Sequence, residues 1–493
     1  MLMHFRFLWV TCQLDAIGSC LNLPMLRKTL ASLPNTLCDT YARILCNIDE
    51  EHRKNSLMIL QWLAYCARPL KIEEVAEVTV IDIKDNPQIN FDKRLPEPRD
   101  ILLMCSSLVT TKVDIEKSSG VPKSRELVRL AHFSVKEYLV SGQVKDGPAS
   151  QYSINEIHAN ALIAEGCLMY LLQIGNCGSL TDQTDKQFPL LRYAEEFWSY
   201  HAQGAGKDAN TVYQLNMELF LSKRDAHFDQ VGICGPDRPS RSQSIIESWQ
   251  RDHFCLYYAS LTGLTGSVDL LIKKGADVNA RGENYGSALQ AASVEGHDQI
   301  VKLLLEKGAD VNDERGEFGT ALHGASVKGH DQVVKLLIRN GADINSHGGK
   351  YGSALEAASV KGHDHIVKLL LEKGADVNMG GGKYGSASGA ASVTGHYQIV
   401  KLLLERNADV NARGGKYGSA LEAASVKGHD HIVKLLLEKG ADVNSRGGKY
   451  GSALQAALIK GHGRIVKLLL EKGADVKAER GTPAAADEEQ DQI

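Results

Sequence analysis

The chain has 493 residues, of which 43% are hydrophobic and 24% charged, with a formal net charge of −4. That length allows several domains, each with its own core, and the polar balance is that of a soluble globular protein. The near-neutral charge speaks against a nucleic-acid partner, which needs a basic excess, and no apolar run approaches the ~18 residues of a membrane span.

All ten cysteines fall between Cys12 and Cys255, at irregular spacing and with no C-x-x-C pair. Such scattered thiols predict small buried hydrophobes in a reducing compartment, the cytoplasm or alternatively the nucleus. At the N-terminus the uninterrupted apolar run, Phe7 to Val10, is too short for a secretion signal.

Taken in chain order, residues 21–48 place Leu26, Leu30, Leu33, Leu37, Tyr41, Ile44 and Leu45 at helical spacing. A second helical run at 56–66 carries Ile59, Leu60 and Trp62 and is broken by Arg68-Pro69-Leu70. Val109 to Val113 and Leu127 to Leu130 read as strands flanking a polar loop. Helix followed by short strands suits a winged-helix module at 51–145, with a helical connecting region at 146–250.

Several strings in this half carry a resemblance: Trp9-Val-Thr-Cys-Gln-Leu-Asp15, Leu33-Pro34 with Leu37 and Thr40-Tyr41, Trp62-Leu63, Arg68-Pro69-Leu70, and Leu130-Ala-His-Phe-Ser-Val-Lys-Glu-Tyr-Leu139. Phe188-Pro-Leu-Leu-Arg-Tyr-Ala194 with Phe197-Trp198 extends it. Over residues 5–205 the chain resembles the region after the nucleotide-binding core in NACHT-type signalling NTPases, especially fungal NOD-like receptors bearing ankyrin repeats. The resemblance implies that residues 1–50 are the C-terminal end of a NACHT-like helical region. It also implies that His132 matches a His that senses bound nucleotide. The G-x-x-x-x-G-K-[ST] phosphate loop occurs nowhere in the chain, so no ATP hydrolysis is expected. Without an NTPase core, a packing role for His132 is favoured.

From Gly275 onward the sequence repeats. Gly-Ala-Asp-Val-Asn or a near-copy begins at 275, 308, 341, 374, 407, 440 and 473, a step of 33 residues. Gly-His pairs place His at 297, 330, 363, 396, 429 and 462, and residues 348–378 are identical to 414–444. Within one period, Ser353-Ala-Leu-Glu356 and Ser419-Ala-Leu-Glu422 match a capping box, with Gln290 and Gln455 as its Gln form. Gly362 ends that first helix, Asp364 starts a second through Ile366 to Lys373, and Gly374 stops it. One helix pair cannot bury Leu369 to Leu371, so stacked copies must share a core. This pattern resembles the ankyrin repeat over residues 253–477, followed by a disordered acidic tail at 478–493. The fold class expected is mainly α: an ankyrin-repeat solenoid preceded by a winged-helix-like and helical region. The hairpin-tip Asp-Gly of the family is replaced by Lys-Tyr in four copies, which leaves the tip conformation open.

The function expected is a non-enzymatic protein-interaction scaffold, with protein partners binding the repeat array. The alternative is a nucleotide-switched NACHT receptor whose ATPase core is missing from this chain. No catalytic set, cofactor or metal is expected: His363-Asp-His365 and His429-Asp-His431 lie in copies too far apart to share an ion. Glu356 and Glu422 read as caps rather than ligand contacts. The candidate partner-binding row is Tyr285, Phe318, Tyr351, Tyr384, Tyr417 and Tyr450, with Lys350, Lys383, Lys416 and Lys449 beside four of them. Repeated exposed Tyr/Lys suits a binding surface, and packing of each ring on its neighbour is the equal alternative. Copy 385–407 is expected to be the weakest, since Ser388 and Gly389 stand where Leu355 and Glu356 stand in the preceding copy.

Overall fold

A computed structural model describes residues 22–25, 27, 36–82, 88–116, 123–174, 186–206, 209–221, 251–282 and 284–476. The strings at Trp9 to Asp15 and Leu33-Pro34, the positions Leu26 and Leu30, and the tail at 478–493 lie outside them. The chain divides into two compact units, Met1–Ser242 and Gln243–Ile493.

In the first unit, the Thr36 hydroxyl accepts from the Asp39 N–H and starts the helix Leu37–Cys46, which buries Tyr41 and Leu45. The next helix, Arg53–Tyr65, buries Ile59, Leu60 and Trp62. Arg68-Pro69 ends the helical run as the sequence predicts, but Leu70–Lys71 is then a strand rather than a plain break. It pairs antiparallel with Lys123–Leu130, which pairs in turn with Val109–Glu116. Helices Ile72–Glu77 and Ile101–Cys105 fall between the first strand and the hairpin. Helix, strand, two helices and a hairpin make a winged helix. The hairpin strands run longer than the apolar residues alone indicate, because Lys112, Asp114, Arg125 and Glu126 continue the ladder.

Among the described residues of this unit, the carboxylates of Glu74 and Glu77 are buried, and each meets a guanidinium. Glu74 accepts from Arg68 at 2.9 and 2.8 Å and from the Lys71 N–H at 2.8 Å. Glu77 is held by Arg94, with Nε donating at 2.9 Å, and by the Tyr170 hydroxyl at 2.8 Å. Helices Glu156–Ile174, Leu191–Gly204 and Asn210–Leu221 follow, burying Tyr170, Tyr193 and Trp198.

The second unit stacks seven helix pairs among the described residues, beginning with Arg251–Leu261 and Thr265–Lys273. The later pairs follow one plan. Ser353 caps the inner helix Ala354–Lys361 by accepting from the Glu356 N–H, and Gly362 closes it at φ 78°. The outer helix Asp364–Glu372 buries Ile366, Val367 and Leu370. Leu369 and Leu371, expected inside, are only half-buried, because the next copy covers a narrower stripe of the outer helix. Asn407 adopts φ 66° in the slot that Gly fills elsewhere.

The repeated Asn binds the stack. Asn279 donates to the Gly308 carbonyl at 3.0 Å and accepts from the Asp310 N–H at 2.7 Å. Asn312, Asn345, Asn378, Asn411 and Asn444 bridge to the following copy in the same way. A 33-residue period thus puts one amide in position to satisfy both a donor and an acceptor of its neighbour. No described helix is long and apolar enough to cross a membrane.

Candidate recognition surface

The hairpins before each inner helix lie directly on one another. Lys383 donates its backbone N–H to the Lys350 carbonyl at 3.1 Å, Lys416 to Lys383 at 2.9 Å, and Lys449 to Lys416 at 3.0 Å. The Lys-Tyr tip is made possible by flanking glycines: Gly349 and Gly352 take φ 62° and 73°. A Cβ on Gly349 would lie 2.2 Å from the Phe318 carbonyl oxygen, so the hairpins stack this closely only without a side chain there.

The aromatic row lies along this ladder and is less exposed than the sequence suggests. Tyr351 and Tyr417 are 7% and 5% exposed, whereas Tyr285, Phe318, Tyr384 and Tyr450 are half-buried. Tyr351 packs with Val327, Ala357, Val360 and Ala390, with Phe318 and Tyr384 against that cluster. Tyr417 packs with Val393, Ala423, Val426 and Ala456, flanked by Tyr384 and Tyr450. Tyr285 stacks on Phe318 at 5.8 Å between centroids, and Tyr384 on Tyr417 at 6.5 Å with the planes 3° apart. The ammonium groups of Lys350, Lys383 and Lys416 sit 5.7 Å from the ring centroids of Tyr351, Tyr384 and Tyr417. Over Tyr450 the cation is Lys460, from the end of an inner helix, rather than Lys449. The row is therefore one packed stripe with a basic margin.

The capping boxes are only half formed. Ser353 and Ser419 cap as expected, but the carboxylates of Glu356 and Glu422 do not reach back. They reach forward one copy, where Oε1 of Glu356 accepts from the Tyr384 N–H at 3.0 Å and Oε1 of Glu422 from the Tyr450 N–H at 3.1 Å. Gln290, in the same slot, donates to the Asp313 and Gly319 carbonyls at 2.8 and 2.6 Å. Within the described repeats, only Thr320 and His323 make the reciprocal cap, with the Thr320 N–H donating to Nδ1 of His323 at 3.3 Å. Glu356 and Glu422 are 0% and 1% exposed with no cation beside them, and Oε2 of Glu356 has no hydrogen-bond partner. Burial pushes both carboxyls up to about 7, against the opposing effect of the backbone N–H groups.

The Gly-His imidazoles act between copies. Nε2 of His330, His363, His429 and His462 bonds the carbonyls of Val294, Val327, Val393 and Val426 at 2.9 to 3.2 Å. Their rings fill space that a Cβ on the preceding copy's glycine would occupy, His363 lying 2.5 Å from such a Cβ on Gly329. Below the aromatic stripe, a cleft of about 400 Å³ is lined by Val360, Lys361, Val393, Thr394, His396, Lys427 and His429. Among the described residues, no group of three or more His, Cys, Asp or Glu is placed to hold a metal.

His132 sits at the other end of the chain's chemistry. It caps the helix Phe133–Val140, its Nδ1 accepting from the Ser134 N–H at 3.2 Å and lying 2.8 Å from the Ser134 hydroxyl. That hydroxyl is 2.8 Å from the Tyr41 hydroxyl, which ties the cap to the first helix. Sequence reasoning missed the inter-copy roles of Asn279 and its equivalents and of Glu356 and Glu422. The strict 33-residue recurrence of the Asn was the available signal.

Family models match both parts of this architecture. Residues 241–315, 312–381 and 387–480 match the family model "Ankyrin repeats (3 copies)", and residues 41–155 match "GPI inositol-deacylase, winged helix domain". A curated relative, azaphilone pigments biosynthesis cluster protein L of Monascus ruber, is 36% identical over 284 residues, 55% of this chain. The match spans 59% of that relative's length. Among solved structures, the ankyrin repeat domain of human ASB11 is 28% identical, covering 46% of this chain and 99% of its own, with a TM-score of 0.39. The chain thus carries an ankyrin-repeat solenoid preceded by a winged-helix and helical region.

Proposed function

We propose that this protein is a non-enzymatic interaction scaffold in intracellular signalling or recognition, with the ankyrin array as its partner-binding part. The observation that carries this reading is the continuous hairpin face: a backbone ladder from Lys350 to Lys449 over a stacked aromatic stripe. Such a face is rigid before any partner arrives, so little ordering entropy opposes binding. A cytoplasmic or nuclear location is supported by the free thiols of Cys38, Cys46, Cys66, Cys105, Cys167 and Cys255. Burial pushes the Cys66 and Cys105 thiols up to about 11 and 12, which suits inert packing groups.

Tyr351 and Tyr417 are core residues, so the test uses the half-buried rings. With a partner in hand, Tyr384→Ala and Tyr450→Ala should each weaken affinity by about 2 kcal/mol, the size of a binding hot spot. Unchanged affinity with an intact fold would assign the stripe to packing alone.

The second reading is a piece of a nucleotide-switched NACHT receptor, supported by a winged helix and helices preceding the repeats, where the resemblance puts them. A phosphate-loop motif in frame upstream of Met1 in transcript sequence would establish it. Its absence there would remove this reading.

A further inference from the structure

Charge is unevenly distributed over the hairpins and inner helices. The stretches 347–362, 380–395, 413–428 and 446–461 hold nine Lys or Arg, and their only Asp or Glu residues are Glu356 and Glu422. Those two are buried, so every exposed charge of these four stretches is positive. The equivalent stretches of the two preceding copies, 281–296 and 314–329, are mixed, with Glu283, Glu295, Glu314 and Glu317 against Arg281, Arg315 and Lys328. Outer helices are mixed as well, with Lys401–Glu405 and Lys434–Glu438 facing one another at 4.0 Å. The basic excess belongs to one face and to the last four copies.

That face also has a shaped recess. Val360 is shared by the Tyr351 cluster and the cleft wall, and Val393 by the Tyr417 cluster and the same wall, so cleft and stripe adjoin. Lys361 and Lys427 stand at its two sides, and Thr394 occupies the slot between them, where those copies have Lys. The shorter side chain leaves the opening, and two ammonium groups flank it. His396 and His429 complete the wall, and Nε2 of His429 already bonds the Val393 carbonyl.

We propose that this face binds an acidic peptide segment of a protein partner, with a carboxylate side chain seated between Lys361 and Lys427 and the segment running along the Lys350 to Lys449 ladder. This rests on the reading of the array as the recognition part and names the chemistry of what it recognises. A carboxylate entering the cleft meets two cations, Lys361 and Lys427, and one acid near its wall, Asp364, whose charge acts on His396; the net positive field of the face steers it in. The two copies before these four, with exposed Glu295, Glu314 and Glu317, disfavour the same segment and so set where it lies.

The experiment uses the full chain and a fluorescein-labelled peptide of Glu, Ser and Gly, with a matched peptide carrying Gln for each Glu. Fluorescence anisotropy should show binding of the Glu peptide alone, falling as salt is raised. Lys361→Gln with Lys427→Gln should weaken it about tenfold, as loss of two close charges does, while Lys368→Gln with Lys434→Gln on the outer helices should not. Circular dichroism checks that both variants fold. No binding of the Glu peptide, equal binding of the Gln peptide, or equal loss in the outer-helix variant overturns the inference. Those results leave the recognition reading itself to the Tyr384 and Tyr450 test, so the two failures are distinguishable.

Discussion

The two units bury glutamates in opposite ways. In the winged helix, Glu74 and Glu77 are 1% and 2% exposed, and each faces an arginine through two hydrogen bonds. In the array, Glu356 and Glu422 are as deeply buried but meet only backbone N–H groups of the next copy. A counter-charge offsets the loss of hydration, whereas one N–H offsets part of it. The first arrangement holds a carboxylate as a fixed element of the fold. The second makes it a titrating joint between repeats.

The largest expected effect comes from breaking the paired side of this contrast. Arg68→Ala leaves Glu74 buried without its counter-charge and should destabilise the first unit by about 3–5 kcal/mol. Trp62 and Trp198 are both buried in this unit, so tryptophan fluorescence during urea unfolding reports it. Adding Glu74→Gln to the same variant should restore part of the loss, because no charge is then stranded. A loss below about 1 kcal/mol would mean that the pair acts as an exposed surface bridge.

The array side predicts a pH dependence of defined sign. A carboxyl near 7 when folded and near 4.5 when unfolded contributes stability below pH 4.5 that is lost as pH rises to about 7. Each such group costs at most about 3 kcal/mol above that window. Buried histidines oppose it: His323 is pushed down to about 4 by burial, and its contribution is lost as pH falls below 6.5. The wild-type profile is therefore flattened, and substitution separates the parts. Glu356→Gln with Glu422→Gln places in both slots the amide that Gln290 already uses to bind two carbonyls of the next copy. This variant should unfold at a higher temperature than wild type at pH 8 and at nearly the same temperature at pH 5. A gain of equal size at both pH values would show that ionisation has no part in it.

How much of this was legible follows from what kind of contact each residue makes. The serine caps and glycine stops depend on neighbours within four residues, so Ser353 and Gly362 could be read directly. The forward reach of Glu356 to Tyr384 depends on a residue 28 positions away, and a local pattern, the capping box, masked it. The aromatic row was legible as a period and not as a burial state. Period 33 fixes that the rings align, while their depth depends on Val360 and Ala390 closing around Tyr351. In the first unit, Leu70–Lys71 is a two-residue strand beside a proline, too short to carry an alternating pattern. Its partner strand, far along the chain, makes it one.

The smallest effect lies within the array, where copy 386–394 separates two identical copies. Its serine cap is present, the Ser386 hydroxyl accepting from the Gly389 N–H at 3.1 Å. What it lacks is the leucine of the neighbouring copies and the side chain that clamps the next hairpin. Ser388 is 3% exposed in the leucine slot, and its hydroxyl lies 3.1 Å from that of Ser386. That contact offsets the burial of the polar group, so the deficit is below the ~2–5 kcal/mol of a full core deletion. Gly389 cannot simply be changed to the missing glutamate: a Cβ there would lie 2.7 Å from the Tyr384 carbonyl oxygen. The informative repair is Ser388→Leu alone. In a repeat stack the local deficit sets where opening begins, so amides at 386–394 should exchange about tenfold faster than those at 353–361 and 419–427. Ser388→Leu should narrow that gap and raise the unfolding midpoint of the array. Equal protection in the three segments of the wild type would show that its neighbours hold the copy as firmly as they hold each other.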